Sequence, residues 1–280
     1  MGLSLVIYAV FGLLLLLLVW PTDRTARRLL NTWRVPDPTA EQVAEALSYL
    51  RRRRFWYPWF FLAAPLVPGW GGATQSSYNH FLITVLAGLL IAELLALQPA
   101  RDRVRTASLT PRELFDLVPK WAVVLYACLG LASTGFAVAG LIGQQWAWRQ
   151  SLDSGFGLPD LYGPEPWIVL LATMACLLAV GAVCLLAVIR PAGGDGVVDA
   201  VLRTRSARVA LGLGIALQGQ LLATAAGRIA MYDITSLEWL RELYRLTSRV
   251  PTAARAGSIL AWIWVANPPG TVRMLARRNR

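Results

Sequence analysis

Apolar residues in this chain come in long, almost uninterrupted runs separated by short arginine-bearing connections. A bilayer core of about 30 Å asks for about 20 apolar helical residues at 1.5 Å each. Five runs meet that length, at 3–20, 80–97, 121–142, 167–189 and 209–227. Two more are less uniform: 55–70 carries Pro58, Pro65 and Pro68, and 256–275 has Asn267-Pro-Pro-Gly270 in its middle. The expected fold is an all-α integral membrane protein, a polytopic helical bundle of about seven transmembrane helices with short amphipathic interfacial helices. It forms a single membrane domain over 1–280.

Basic residues resist translocation, so their distribution among short connections orients the bundle. With the N-terminus outside, the internal stretches 21–54, 98–120, 190–208 and 276–280 hold eight, five, four and three basic residues. The external stretch 71–79 holds none, and 143–166 holds only Arg149. If 55–70 failed to cross, two basic loops would fall outside, so it is read as a span. The stretch 235–257 runs against the rule, because it is external yet carries Arg241, Arg245, Arg249 and Arg255. A hairpin within 209–227 would relieve this conflict, but non-helical backbone in lipid needs protein shielding, and the crossing is preferred. Trp20, Trp56, Trp59, Trp70, Trp121, Trp146, Trp148 and Trp167 fall at the run ends. The headgroup layer, apolar on one side and wet on the other, suits indole there.

Three connections open with a threonine followed three residues later by Glu or Gln, a reciprocal cap for free helical N–H groups. They are Thr39…Gln42, Thr110…Glu113 and Thr235…Glu238. Interfacial helices are expected near 39–54, 111–118 and 236–248. On the third, Glu238 and Glu242 form an acidic column beside Arg241, Arg245 and Arg249. Like charges one turn apart repel, so a complementary partner protein or anionic headgroups would relieve them.

The chain has 280 residues, 56% of them hydrophobic and 15% charged, against about 25% charged in ordinary soluble domains. The net charge of +11 would suggest nucleic acid. Its distribution does not: in Arg51-Arg-Arg-Arg-Phe-Trp-Tyr-Pro-Trp-Phe-Phe61 all four charges precede the rings, and no further basic residue follows until Arg101. That order is cytosol, headgroups, aromatic belt, hydrocarbon. Arg51, Arg52, Arg53 and Arg54 are therefore expected to meet anionic lipid at the cytoplasmic face, each contributing about 1 kcal/mol, and no nucleic-acid partner is expected. All basic residues but Lys120 are arginine, which suggests a high-GC bacterial genome and hence the bacterial cytoplasmic membrane.

An ionisable side chain within a span is a functional candidate because it costs at least about 2.5 kcal/mol at the helix centre. Glu93 is the clear case; near the cytoplasmic end of its span, it is expected to pair with Arg101 or Arg105 rather than couple protons or ions. Its helix also carries the small-residue stripe Thr84, Gly88, Ala92 and Ala96. In 209–227, Gln220 shares a face with Gly212, Ala216, Ala223 and Gly227, so a bond to a neighbouring helix is expected, while Gln218 points elsewhere. The Asn267-Pro-Pro-Gly270 break is compatible with the discontinuous helices of transporters.

Catalytic constellations are missing from the sequence. Cys128, Cys176 and Cys184 lie in apolar runs without metal-ligand spacing, and His80 is the only histidine. There is no GxSxG elbow, P-loop or GxGxxG. No catalytic residue, metal site or cofactor is expected. The first reading is a partner or scaffold subunit of a membrane complex, bound to another membrane protein. A transporter or permease-like subunit comes second and a lipid-modifying enzyme last.

Overall fold

The computed structural model describes residues 10, 12–14, 16–17, 20–63, 77–96, 105–106, 113–154, 165–189, 192–193, 195–229 and 238–267. Residues 61–63, 77–81, 105–106, 146–154, 192–193, 229 and 238–247 are described by their backbone alone. The described residues are helical apart from turns and one two-residue pairing. The helices are α1 (Asp23–Thr32), α2 (Ala40–Phe55), α3 (Tyr57–Ala63), α4 (Ser77–Ala96), α5 (Leu114–Leu117), α6 (Lys120–Ser154), α7 (Pro166–Ile189), α8 (Gly196–Ile229) and α9 (Glu238–Ala266). Strand β1 (Arg105–Thr106) pairs antiparallel with β2 (Ala192–Gly193).

Among the described residues, three helices are long and apolar enough to cross a membrane: α6 over Lys120–Gln145, α7 over Pro166–Ile189 and α8 over Gly196–Arg228. They belong to a membrane-embedded bundle. Helix α4 supplies a shorter apolar stretch, Leu82–Ala96. The first predicted span lies mostly outside the described residues, and 55–70 is described only as far as Ala63.

Helix α8 forms the axis of the bundle, packed against α4, α6, α7 and α9 and buried along most of its length. Glycines permit this close approach. A Cβ on Gly214 would come within 2.6 Å of Val180 Cγ2 and 2.9 Å of Tyr126 Cε2. The outward faces of α6 and α7 are apolar instead, with Leu131 and Leu178 each 75% exposed, as a lipid-facing surface requires. Successive helices alternate in direction: Tyr126 and Gln144 of α6 meet Cys176 and Glu165, and Gln218 and Arg203 of α8 meet Thr173 and Ala187. Along α9, Arg255 and Val265 lie level with Gln220 and Arg208.

A second, smaller core caps one end of this bundle. Ala26 and Leu30 of α1, Val43, Ala46, Leu47 and Leu50 of α2, Ala96 of α4, and Val198 and Leu202 of α8 form one buried cluster. The turn into α2 is a helix-end motif in which Val35 N–H bonds Leu30 O and Arg34 N–H bonds Asn31 O, with Arg34 at φ 64. The Thr39–Gln42 capping box forms as expected, and its helix runs to Phe55. Trp56 then breaks the helix, leaving Pro58 in the first turn of α3, where its missing N–H forgoes no helical bond. Phe60 of α3 sits against Gly88, so α3 starts down the face of α4. The connections 21–55, 113–119 and 192–208, with β1, thus gather at one end.

Four expected boundaries move. Helix α6 continues past 142 through Ser154, since no proline occurs in the run before Pro159. The helix expected over 111–118 is only Leu114–Leu117, capped by Glu113 and Asp116; Thr110 lies outside the described residues. Segments 236–248 and 256–275 are not separate: α9 is continuous from Glu238 to Ala266 through Pro251. It ends before the Pro-Pro-Gly break, where Arg208 Nε and Nη2 cap the Val265 and Asn267 carbonyls at 3.0 Å each. Finally, α8 is one unbroken helix about 51 Å long by its rise, so 209–227 contains no hairpin.

Candidate functional site

Where α2, α4 and α8 meet, charged side chains are buried together. The Thr39 cap sets the register of α2, which turns Val43, Ala46, Leu47 and Leu50 inward. Tyr49 and Arg53, one turn apart, face α4 on the flank of that stripe. On α4, Glu93 continues the buried line Leu86–Leu90, so its carboxylate points into protein instead of lipid. Arg53 Nε lies 2.6 Å from Glu93 Oε2, and the Tyr49 hydroxyl donates to Glu93 Oε1. Arg205 Nη1 of α8 donates to the Tyr49 oxygen at 2.9 Å. Ser206 Oγ lies 2.8 Å from it, and because the phenol proton goes to Glu93, Ser206 is the donor there.

Burial, reinforced by the Glu93 charge, pushes the Tyr49 pKa well up, so the phenol stays neutral. Burial is the largest single influence on Arg53 and opposes its charge, yet Glu93, joined by Tyr57 and Tyr49, more than offsets it and raises the guanidinium pKa. The cluster ties an extramembrane helix to two bundle helices. Its level is the edge of the apolar run, since Ser206 precedes residue 209 by less than one turn. Beside it, Asp199 and Arg203 neutralise each other at 2.6 Å within α8. Further out, Asp195 caps α8 by accepting from Val197 and Val198 and receives Gln42 Nε2 at 3.1 Å. The Gln42 bond, followed by the Val198 N–H, lowers the Asp195 pKa.

The expected pairing of Glu93 is present, with a different partner from either one named. Arg53 takes the carboxylate; Arg101 lies outside the described residues and Arg105 is described by its backbone alone. The four-arginine run divides accordingly: Arg51 is exposed, Arg52 and Arg54 are half-buried, and Arg53 is withdrawn into the ion pair. Tyr49, Arg205 and Ser206 were not among the predicted site residues. Spacing gave a partial signal, since Tyr49 stands one turn before Arg53, but only the fold brings α8 to them.

Deeper in the bundle, polar groups bridge helices. Gln220 reaches the Arg255 carbonyl at 3.5 Å, across to a neighbour as expected. Gln218, facing away from Gln220, makes the shorter bond, 3.1 Å to Thr173 O, and Thr173 shares a hydroxyl contact of 2.9 Å with Ser133. The predicted docking face falls on the first half of α9: Glu238, Arg241, Glu242 and Arg245 have no described side chains, and Arg249 is exposed. Among the described residues, no three His, Cys, Asp or Glu side chains gather as a metal site requires. No protein-family model, curated protein or solved structure matches the chain.

Proposed function

We propose that the chain is a seven-span protein of a bacterial cytoplasmic membrane, N-terminus outside and C-terminus inside, that serves as a partner or scaffold subunit of a membrane complex. One observation carries this reading: the carboxylate inside the bundle is engaged by Arg53 and Tyr49, an arrangement that holds helices together. Such groups act as internal joints and leave function to surfaces. The gathering of the arginine-rich connections at one end supports the orientation, because all of them then face the cytosol.

Purification from native membranes in a mild detergent tests the proposal. A second membrane protein should be recovered in fixed stoichiometry through successive columns. Recovery of the chain alone as a monodisperse species would count against it.

One observation favours a transporter as the second reading. The Oε1 atoms of Gln218 and Gln220 are buried on the axial helix without a hydrogen-bond partner among the described residues. Buried carbonyl oxygens of this kind suit a polar solute or cation. A transporter predicts that Gln220→Leu alters flux while assembly is unchanged.

A further inference from the structure

We propose, resting on the partner-subunit reading above, that Arg255 of α9 pairs at mid-membrane depth with a carboxylate carried by a membrane-spanning helix of the partner protein.

Two arginines of α8 bracket the hydrocarbon. Arg208 caps the C-terminal end of α9 at Val265 and Asn267, and Arg228 lies 3.9 Å from Glu165 at the start of α7. Along α8 they are separated by about 30 Å of helical rise, the thickness of a bilayer core. Exposed Trp264 and Trp167 stand beside these two levels, as a headgroup belt requires. Between them Gln220 reaches the Arg255 carbonyl at 3.5 Å. That contact sets the Arg255 backbone about 18 Å from the Arg208 level and about 12 Å from the Arg228 level. A guanidinium at such depth is costly unless an opposite charge meets it.

This chain brings no such charge to that depth. The Nε of Arg255 is buried and has no hydrogen-bond partner among the described residues. Glu93, Asp199 and Glu165 are engaged elsewhere, by Arg53, by Arg203 and by Gln144 at 3.0 Å. Glu242, earlier on α9 itself, is about 20 Å away by helical rise. The seven apolar runs of the sequence contain one acidic residue, Glu93. A second copy of the chain therefore supplies no carboxylate to Arg255, and a different protein must.

The surface around Arg255 suits a helix. On α9, Ala254, Ser258 and Trp262 pack against Gly219 and Gly212 of α8. Arg255 is half-buried on the flank of that stripe, beside exposed Thr252 and Ala256. Where α6 and α7 cover their outward faces with leucine, α9 offers here a small pair four residues apart, which lets a helix backbone approach closely. A lipid phosphate stays at headgroup level. A membrane-spanning helix satisfies its own backbone and carries an Asp or Glu to the required depth, where the planar guanidinium takes both carboxylate oxygens.

The test purifies the tagged full chain from native membranes in a mild detergent, beside Arg255→Gln, Arg255→Lys and, as a control on the exposed face of α1, Arg27→Gln. The parent chain, Arg255→Lys and Arg27→Gln should retain a stoichiometric membrane protein with an Asp or Glu near the middle of one span. Arg255→Gln should recover at least about tenfold less of it, with its own circular dichroism and unfolding midpoint in micelles no lower than the parent's. Arg255→Asp should also lose the partner, and replacing the partner's acidic residue by arginine should restore the complex. Should Arg255→Gln fail to fold, this charge exchange decides. Equal recovery with Arg255→Gln, a partner without an intramembrane carboxylate, or an exchange that restores nothing would overturn the pairing while leaving the partner-subunit reading intact. Recovery of the parent chain alone would overturn both.

Discussion

Replacing Glu93 with Gln removes one charge and little else. Glu93 is fully buried and its partner Arg53 is only 12% exposed, so the variant leaves a guanidinium in a poorly solvated site facing a neutral amide. Removing one member of a buried pair costs about 3–5 kcal/mol. The amide still accepts from Tyr49, although that bond falls from the charged class, about 1.5–3 kcal/mol, to the neutral one near 1 kcal/mol. Arg53 also retains some access to solvent, which places the expected loss near the lower end, about 3 kcal/mol. The assay is reversible unfolding of the purified chain in mixed micelles, titrated with sodium dodecyl sulfate and followed by circular dichroism. Arg53→Gln should also destabilise, and the double variant should lose less than the sum, with a coupling of about 2 kcal/mol. A Glu93→Gln variant within about 0.5 kcal/mol of the parent, or strict additivity with Arg53→Gln, would refute a structural ion pair.

Other outcomes follow from the same geometry. The folded-state pKa of Tyr49 is raised above the unfolded value of about 10, so its contribution to stability is intact below pH 10 and declines as pH rises beyond it; Tyr49→Phe should remove that component from the alkaline unfolding profile. Gly219→Ala places a Cβ within 2.8 Å of the Ala254 carbonyl oxygen, between two helix backbones, and should lower stability by about 1–3 kcal/mol. Gly227→Ala meets no atom within 4 Å among the described residues and should be neutral or stabilising by up to about 1 kcal/mol in the same unfolding assay. Thr39→Ala removes the hydroxyl that accepts from the Gln42 N–H, leaving the other half of the capping box, and should cost about 1 kcal/mol, read as faster proteolysis of the turn before α2.

The sequence made the repeating elements legible because a bilayer imposes length and polarity on each helix by itself. Helices α6, α7 and α8, the start of α2 and the break near Pro58 are properties of local segments. Pairings were less legible. Arg53 and Glu93 are 40 residues apart, and helical spacing fixes which face each presents without saying which helix lies opposite. Helix α9 shows a second limit. Pro251 marks a helix end by local rules, yet packing along α8, with Ser258 against Gly219 and Trp262 against Gly212, carries the helix through it. On α8 the 3.6-residue period separated the Gln218 and Gln220 faces correctly. It did not say that the Gln218 face also meets a helix, because every side of α8 does.

All of these readings depend on the arginine-rich end facing the cytosol and on α8 and α9 crossing the membrane. Single-cysteine labelling of the full chain tests this directly. After Cys128, Cys176 and Cys184 are changed to alanine, one cysteine is placed at exposed Glu41 on α2 or at exposed Arg249 on α9. In intact cells a membrane-impermeant maleimide should modify Arg249→Cys and spare Glu41→Cys, and permeabilisation should expose both. Labelling of both from the outside, or protection of both until permeabilisation, would put the two positions on one side and contradict the account.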